Sequence, residues 1–245
     1  MRSALISSAC WWVGLFGATL AHVDSRADAP ALQPYVATYA VSYRGIEAGT
    51  ISMHLTHDAN TNRYTFETRA NPSVLARLVI GRDAVERTIV EPSDDGIRPV
   101  QWHLEDGKNG KDGDGDLKFD WSSNKVTGEY EGKPVDLPTQ PGLQDRLSIQ
   151  LAVTAALVKG QEPASFVMVN GDRTREYTYT RGASAQVETK LGKQDTIIYE
   201  STRPNSNRVS KVWHAPELQF LPVRAEQIRK GKVETVMQLV SLERT

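Results

Sequence analysis

The stretch from Gln144 to Gly160 constrains this chain more than any other. It reads Gln-Asp-Arg-Leu-Ser-Ile-Gln-Leu-Ala-Val-Thr-Ala-Ala-Leu-Val-Lys-Gly. It carries the one long helical pattern, and the segments around it pattern as strand. Its apolar residues do not form a single stripe. Leu147, Leu151, Ala155 and Val158 make one row, and Ile149, Val153, Ala156 and Leu157 make another. A helix apolar on most sides is normally enclosed by protein or lipid. One enclosed helix in an otherwise strand-built chain calls for a sheet that curls around it. Asp145 near the start, and Lys159-Gly160 at the end, suit the helix dipole and a glycine stop. The spacing therefore predicts a helix over 143–159.

Strand patterns precede and follow it. Residues 35–43 alternate aromatic or β-branched side chains with small ones, and in 50–56 Ile51, Met53 and Leu55 share one face. Further strands are expected at 64–70, 84–90, 99–104, 117–121 and 125–130, with one or two helical turns at 72–81. Pro134, Pro138 and Pro141 suggest an extended linker into the helix. Beyond it, strand patterns recur from 165 to 242, punctuated by Gly171, Gly182, Gly192, Asn205 and Gly231. The expected fold is mainly β: a strongly curved antiparallel sheet, an open or half barrel of roughly 12 strands, wrapping the buried helix.

The first residues read as a targeting segment. Arg2 is followed by an uncharged run from Ser3 to Val23 and then by small residues. This is the pattern of a cleavable signal peptide over 1–27, with a single exported domain over 28–245. A retained membrane anchor is the alternative. The single cysteine, Cys10, lies inside this segment, so the exported part has neither a disulfide nor a thiol nucleophile. A formal charge of −1 and the lack of a basic patch interleaved with aromatics argue against nucleic-acid binding.

Motifs for chemistry are sparse. His54 and His57 are three apart, which on a strand points them to opposite faces. Asp112, Asp114 and Asp116 alternate with glycines and form a weak calcium candidate, with Asp120 as a further oxygen. Leu117 and Ser123 stand where an EF-hand needs Gly and Glu, and a solvated turn explains the same residues. Ser148 has no neighbouring base, and no Gly-x-Ser-x-Gly elbow or phosphate loop is present. No cofactor is expected. Asp145 and Arg146 suit a cap and an ion pair at the helix start.

Several segments resemble a known family: 39–45, Phe119-Asp120-Trp121 with 125–128, 144–151, 213–218 and 221–232. Together they are similar to the bacterial "domain of unknown function 3108" family of exported proteins. The resemblance implies a cell-envelope protein of Gram-negative bacteria and supplies neither an activity nor catalytic residues. The expected architecture is also similar to the half-barrels of periplasmic lipoprotein carriers, a likeness of fold alone.

The expected function is therefore non-enzymatic and periplasmic. A lipid or other apolar envelope molecule would bind the concave face, against Leu147, Leu151, Val158, Trp102, Trp121 and Trp213. The alternative is a scaffold that meets another envelope protein, with the helix filling the interior. A hydrolase using dispersed Asp, Glu and His residues is a third reading.

Overall fold

Alternation of large apolar side chains with small or polar ones makes most of this chain into strands. The computed structural model describes residues 32–74, 77, 83–108, 113–163 and 165–244. The targeting segment at 1–27 lies outside the described residues, as do most of the expected turns at 72–81 and Asp112. Eight strands come first: β1 (Tyr35–Tyr43), β2 (Ile46–Asp58), β3 (Arg63–Pro72), β4 (Val85–Ser93), β5 (Gly96–Glu105), β6 (Gly115–Asp120), β7 (Lys125–Tyr130) and β8 (Lys133–Pro138). The short β9 (Leu143–Gln144) leads into helix α1 (Ser148–Val158). The chain continues through β10 (Ser165–Asn170), β11 (Arg173–Arg181), β12 (Ala185–Thr189) and β13 (Gly192–Thr202). It ends with β14 (Arg208–Ala215), a 3-10 turn (Pro216–Leu218), β15 (Leu221–Arg229) and β16 (Lys232–Arg244).

Among the described residues these strands form one 16-stranded sheet. Its order is β8-β7-β6-β5-β4-β3-β2-β1-β16-β15-β14-β13-β11-β10-β9, with β12 paired to β13 outside that path. The first and last strands, β1 and β16, meet in the middle. The two edges, β8 and β9, are neighbours in the chain. The sheet curls without closing: β8 and β9 end the strand path without pairing to one another, β9 pairs in parallel with β10, and its Gln144 amide nitrogen donates to the Ile97 carbonyl of β5 at 3.0 Å.

Curvature comes from register shifts. They fall at Thr38/Tyr39 and Val41/Ser42 of β1, Ile89/Val90 of β4, Trp213/His214 of β14 and Gln227/Ile228 of β15. Each such irregularity bends its strand and increases the local twist. Gly128 permits one close approach: its φ is +146°, and a Cβ there would lie 2.0 Å from the Asp116 carbonyl oxygen.

The sheet is larger than the roughly 12 strands expected, and one pairing is parallel. The proline-bearing segment read as a linker is in part β8. It sits at the sheet edge, where Pro134 and Pro138 remove donors that need no partner in a central ladder.

The helix is also shorter at its start than the 143–159 expected. Leu143 and Gln144 are taken by strand pairing. Asp145 then acts as the cap. Its Oδ1 accepts the backbone N–H groups of Leu147 and Ser148, each at 2.7 Å, and its carbonyl accepts that of Ile149 at 3.3 Å. The Ser148 hydroxyl oxygen returns the favour to the Asp145 N–H at 2.9 Å, a reciprocal arrangement like a capping box. At the other end Gly160, with φ +70°, donates to Leu157, and Gln161 donates to Ala156. This crossed pair is a Schellman stop.

The apolar core lies mainly between α1 and the first strands. Tyr35, Ala37 and Tyr39 of β1 stand opposite Leu55, Met53 and Ile51 of β2 on the inner face. Leu147, Leu151, Ala152 and Ala155 join them in one buried cluster with Phe66, Val90 and Trp102. The helix touches β4, β5 and β9. No helix among the described residues is long and apolar enough to cross a membrane.

Candidate functional site

The two rows of α1 meet different surroundings. The row of Leu147, Leu151 and Ala155 is packed into the core against the N-terminal strands. From the other row, Ile149 and Val153 face a cavity of about 360 Å³, walled by the C-terminal strands. This volume lies within the ~300–1,000 Å³ range of small-molecule sites.

Strand register builds this cavity in rungs. Tyr199 of β13 stands beside Val212 of β14, Val212 beside Ala225 of β15, and Ala225 beside Met237 of β16. All four line the cavity. One step deeper lies His214, next to Pro222. One step toward the β13–β14 hairpin, the same face carries Tyr179, Ser201, Ser210 and Gln227. At the hairpin itself Arg203 and Arg208 form the mouth. The wall thus runs from apolar inside to polar and then cationic at the opening. Period-2 alternation, with the register shift beside Trp213/His214 carrying β15 from Pro222 to Ala225, keeps these side chains on the inner face.

The ionisable groups deeper in the cavity are held by specific partners. His214 is buried, and its Nδ1–H donates to the Phe220 carbonyl at 2.9 Å. That bond fixes the tautomer and leaves Nε2 as an acceptor. Burial lowers its pKa to about 4, partly offset by the Phe220 hydrogen bond. The ring meets Tyr199 edge-on, with centroids 6.1 Å apart. The Tyr199 hydroxyl donates to Glu162. Desolvation, with help from that carboxylate, pushes the phenol up to about 12. Arg146, at the start of α1, contacts Tyr130 Oη at 3.1 Å and Glu86 at 3.8 Å.

The side chains expected to line a concave site are elsewhere. Leu147 is in the core, and Leu151 and Val158 border only a void of about 20 Å³ beside Tyr35 and Leu55. Trp102 is buried next to a void of about 10 Å³, and its indole N–H donates to Glu86 at 2.8 Å. Trp121 donates to the Pro99 carbonyl at 2.7 Å, under the Arg98 guanidinium. Trp213 alternates with Val212 and His214 and so lies on the outer face, flanked by Lys211 and Arg224. There β12 contacts β15 and β16, held by the Gln238 amide donating to the Glu188 carbonyl at 2.6 Å. None of these six residues lines the 360 Å³ cavity. Aromatic size suggested a pocket, but the tryptophans fill core or cover the sheet.

The calcium candidates are committed to local bonds. Asp114 Oδ1 accepts the Asp106 N–H at 3.0 Å, and Asp116 Oδ2 lies 3.2 Å from His103 Nδ1. Asp120 closes the β6–β7 turn through Ser122 and Ser123, and these hydrogen bonds hold its carboxyl well below the usual range. Among the described residues no cluster of three or more His, Cys, Asp or Glu is placed to hold a metal.

Sequence reading passed over Tyr179, Tyr199, Arg203, Arg208 and His214. Their signal was present as alternation in Ile197-x-Tyr199-x-Ser201 and Arg208-x-Ser210-x-Val212-x-His214, a polarity gradient along one face. Nothing local tells that face from the other.

Comparison with solved structures places the fold. A beta-barrel-like protein of the domain of unknown function DUF1849 from Brucella abortus is similar over 87% of this chain and 98% of its own, at TM-score 0.55 and 14% identity. Two others superpose loosely. One, from Parabacteroides distasonis, is provisionally described as a lipoprotein (TM-score 0.35, 10% identity, 87% of this chain and 97% of that one). The other, from Bacteroides fragilis, is provisionally described as an exported protein with a YmcC-like fold (TM-score 0.32, 12% identity, 88% and 98%). No curated protein sequence matches this chain. The model of the protein family of unknown function DUF3108 matches residues 38–238, and the chain belongs to that family.

Proposed function

We propose that this protein is a non-enzymatic binding protein of the cell envelope. It holds an apolar or amphiphilic molecule between the Ile149 and Val153 row of α1 and strands β10, β11 and β13 to β16. One observation carries this reading: Leu147, Leu151 and Ala155 are packed in the main core, while Ile149 and Val153 of the other row, where Val153 also packs with Leu157 and Tyr199, line a largely apolar cavity of about 360 Å³. A helix that served only to fill the sheet would leave no cavity of this size beside it, as protein interiors leave few voids larger than a water molecule. The envelope location rests on the leader-like pattern of residues 1–27.

Native mass spectrometry of the protein purified from its host, together with titration of a neutral lipophilic dye, tests the reading. Co-purifying lipid, or saturable dye binding that Val153→Trp abolishes, supports it. Absence of both, or dye binding indifferent to V153W, overturns it in favour of a scaffold.

A further inference from the structure

At the mouth of the cavity the sheet does something unfavourable. Arg208 of β14 and Arg229 of β15 are directly opposite partners. Like charges so placed destabilise a strand pair. Arg203, in the β13–β14 hairpin, joins both around an open polar dish that continues from the cavity and is otherwise lined by Asn205, Ser206 and Asn207. Arg203 is only half-exposed. Among the described residues no carboxylate lies within ion-pairing distance of Arg203, Arg208 or Arg229. The acid nearest in influence is Glu234, which feels Arg208 and Arg229 but is bonded to Arg44 at 2.8 Å. Most other arginines of the sheet surface are paired with acids, as Arg63 and Arg98 are with Glu91, and Arg69 and Arg87 with Glu67. Leaving this cluster unpaired, at an opening of a largely apolar cavity, is the arrangement an incoming anion would complete.

We infer that the mouth binds a carboxylate or phosphate carried on an amphiphile whose apolar part occupies the cavity. Arginine suits this role, since its planar fork donates two parallel hydrogen bonds to either oxyanion and keeps its charge at any relevant pH. Ser201, Ser210 and Gln227, one rung deeper, offer neutral hydrogen bonds to ester or hydroxyl groups beneath such a head. Below them Val212, Ala225, Met237, Ile149 and Val153 present only apolar surface to a chain. The inference rests on the binding function proposed above and adds the chemistry of the head group.

The test uses the exported protein without its leader, loaded with Nile red as a neutral reporter. Displacement by decanoate, by decanol and by inorganic phosphate is compared in the wild type, Arg203→Gln/Arg208→Gln and Arg203→Lys/Arg208→Lys. Decanoate is expected to displace the dye at least ~10-fold more tightly than decanol, as charge-assisted hydrogen bonds predict. That preference should weaken with salt, collapse in the glutamine variant and return in part with lysine, while decanol binding stays constant throughout. Unchanged melting temperatures show that the variants are folded. Equal binding of decanoate and decanol by the wild type, or a preference that survives the glutamine variant, overturns the head-group assignment and leaves the cavity function standing. Failure of both Nile red and decanol to bind removes the cavity function itself. Phosphate that stabilises the wild type but not the glutamine variant, with no gain from the decanoate chain, identifies a site for free anions and overturns the amphiphile.

Discussion

The Thr88 hydroxyl donates to the Asp145 carboxylate at 2.6 Å, across the interface between β4 and the start of α1. Thr88 and Asp145 are both buried. The same carboxylate caps the helix, so a single side chain joins helix and sheet. It sets where α1 begins and, with that, which row of the helix faces the cavity.

Asp145→Ala leaves two buried backbone N–H groups without this acceptor and the Thr88 hydroxyl with the Gln101 carbonyl at 3.2 Å instead. Loss of such a cap costs ~0.5–2 kcal/mol, and each buried donor left unsatisfied adds ~1–3 kcal/mol. Denaturant unfolding should place D145A several kcal/mol below wild type. D145N keeps an acceptor oxygen for the backbone and should lose far less. Equal stability of D145A and wild type would show that the cap is dispensable.

Asp145 and His214 oppose one another in pH dependence. Burial raises the Asp145 carboxyl to about 6, against hydrogen bonds from Thr88, Ser148 and Leu147 that lower it. A raised acid contributes stability that is present at low pH and is lost as pH rises through about 6. His214, lowered to about 4 by burial, contributes stability that is present above 6.5 and is lost as pH falls toward 4. Each effect is on the order of 3 kcal/mol at ~1.4 kcal/mol per pKa unit. In wild type the two slopes partly cancel between pH 4 and 6. Relative to wild type, D145N should lose stability on acidification through this window, and His214→Gln should gain it. Parallel unfolding curves for all three at pH 4.5 and 6.5 would contradict both assignments.

The two helix rows should respond differently to truncation. Leu151→Ala opens a cavity in the packed side and should cost ~2–5 kcal/mol. Val153→Ala loses packing against Leu157 and Tyr199 but enlarges a space that already exists, and should cost ~1 kcal/mol or less beyond its transfer free energy. V153W, aimed into the cavity, should fold and lose dye binding. Similar costs for L151A and V153A in urea titrations would mean that both rows are equally packed.

Gly128→Ala should destabilise by several kcal/mol. A methyl group there meets the Asp116 carbonyl oxygen at 2.0 Å and adopts φ +146°, which L-residues avoid. Gly132→Ala on the neighbouring β7–β8 turn meets nothing within 4 Å, although its φ of +69° still costs ~1 kcal/mol. Comparing their melting temperatures separates close contact from backbone strain. A G128A protein as stable as G132A would show that β6 and β7 can separate freely.

The enclosure of the helix was legible because it is written locally. Two apolar rows at helical spacing cannot both face water, and the caps Asp145 and Gly160 use bonds within a few residues. The alternation in 35–43 and 50–56 likewise identified the inner faces of β1 and β2. The exact start of the helix was less accessible, since Leu143 and Gln144 are claimed by β10 from twenty-four residues away. β8 was hidden by its prolines, which only an edge position tolerates.

By itself, the sequence determined that strands would curl about one buried helix, because hydrophobic period is fixed by backbone geometry. Tertiary structure alone decided that Ile149 and Val153 face a cavity while Leu147 and Leu151 do not, and that Trp213 is buried on the opposite face of the sheet from His214. It also set Arg208 against Arg229. Those outcomes depend on strand register and on bulges between residues distant in the chain, and a one-residue change of register would send every side chain of a strand to the other face.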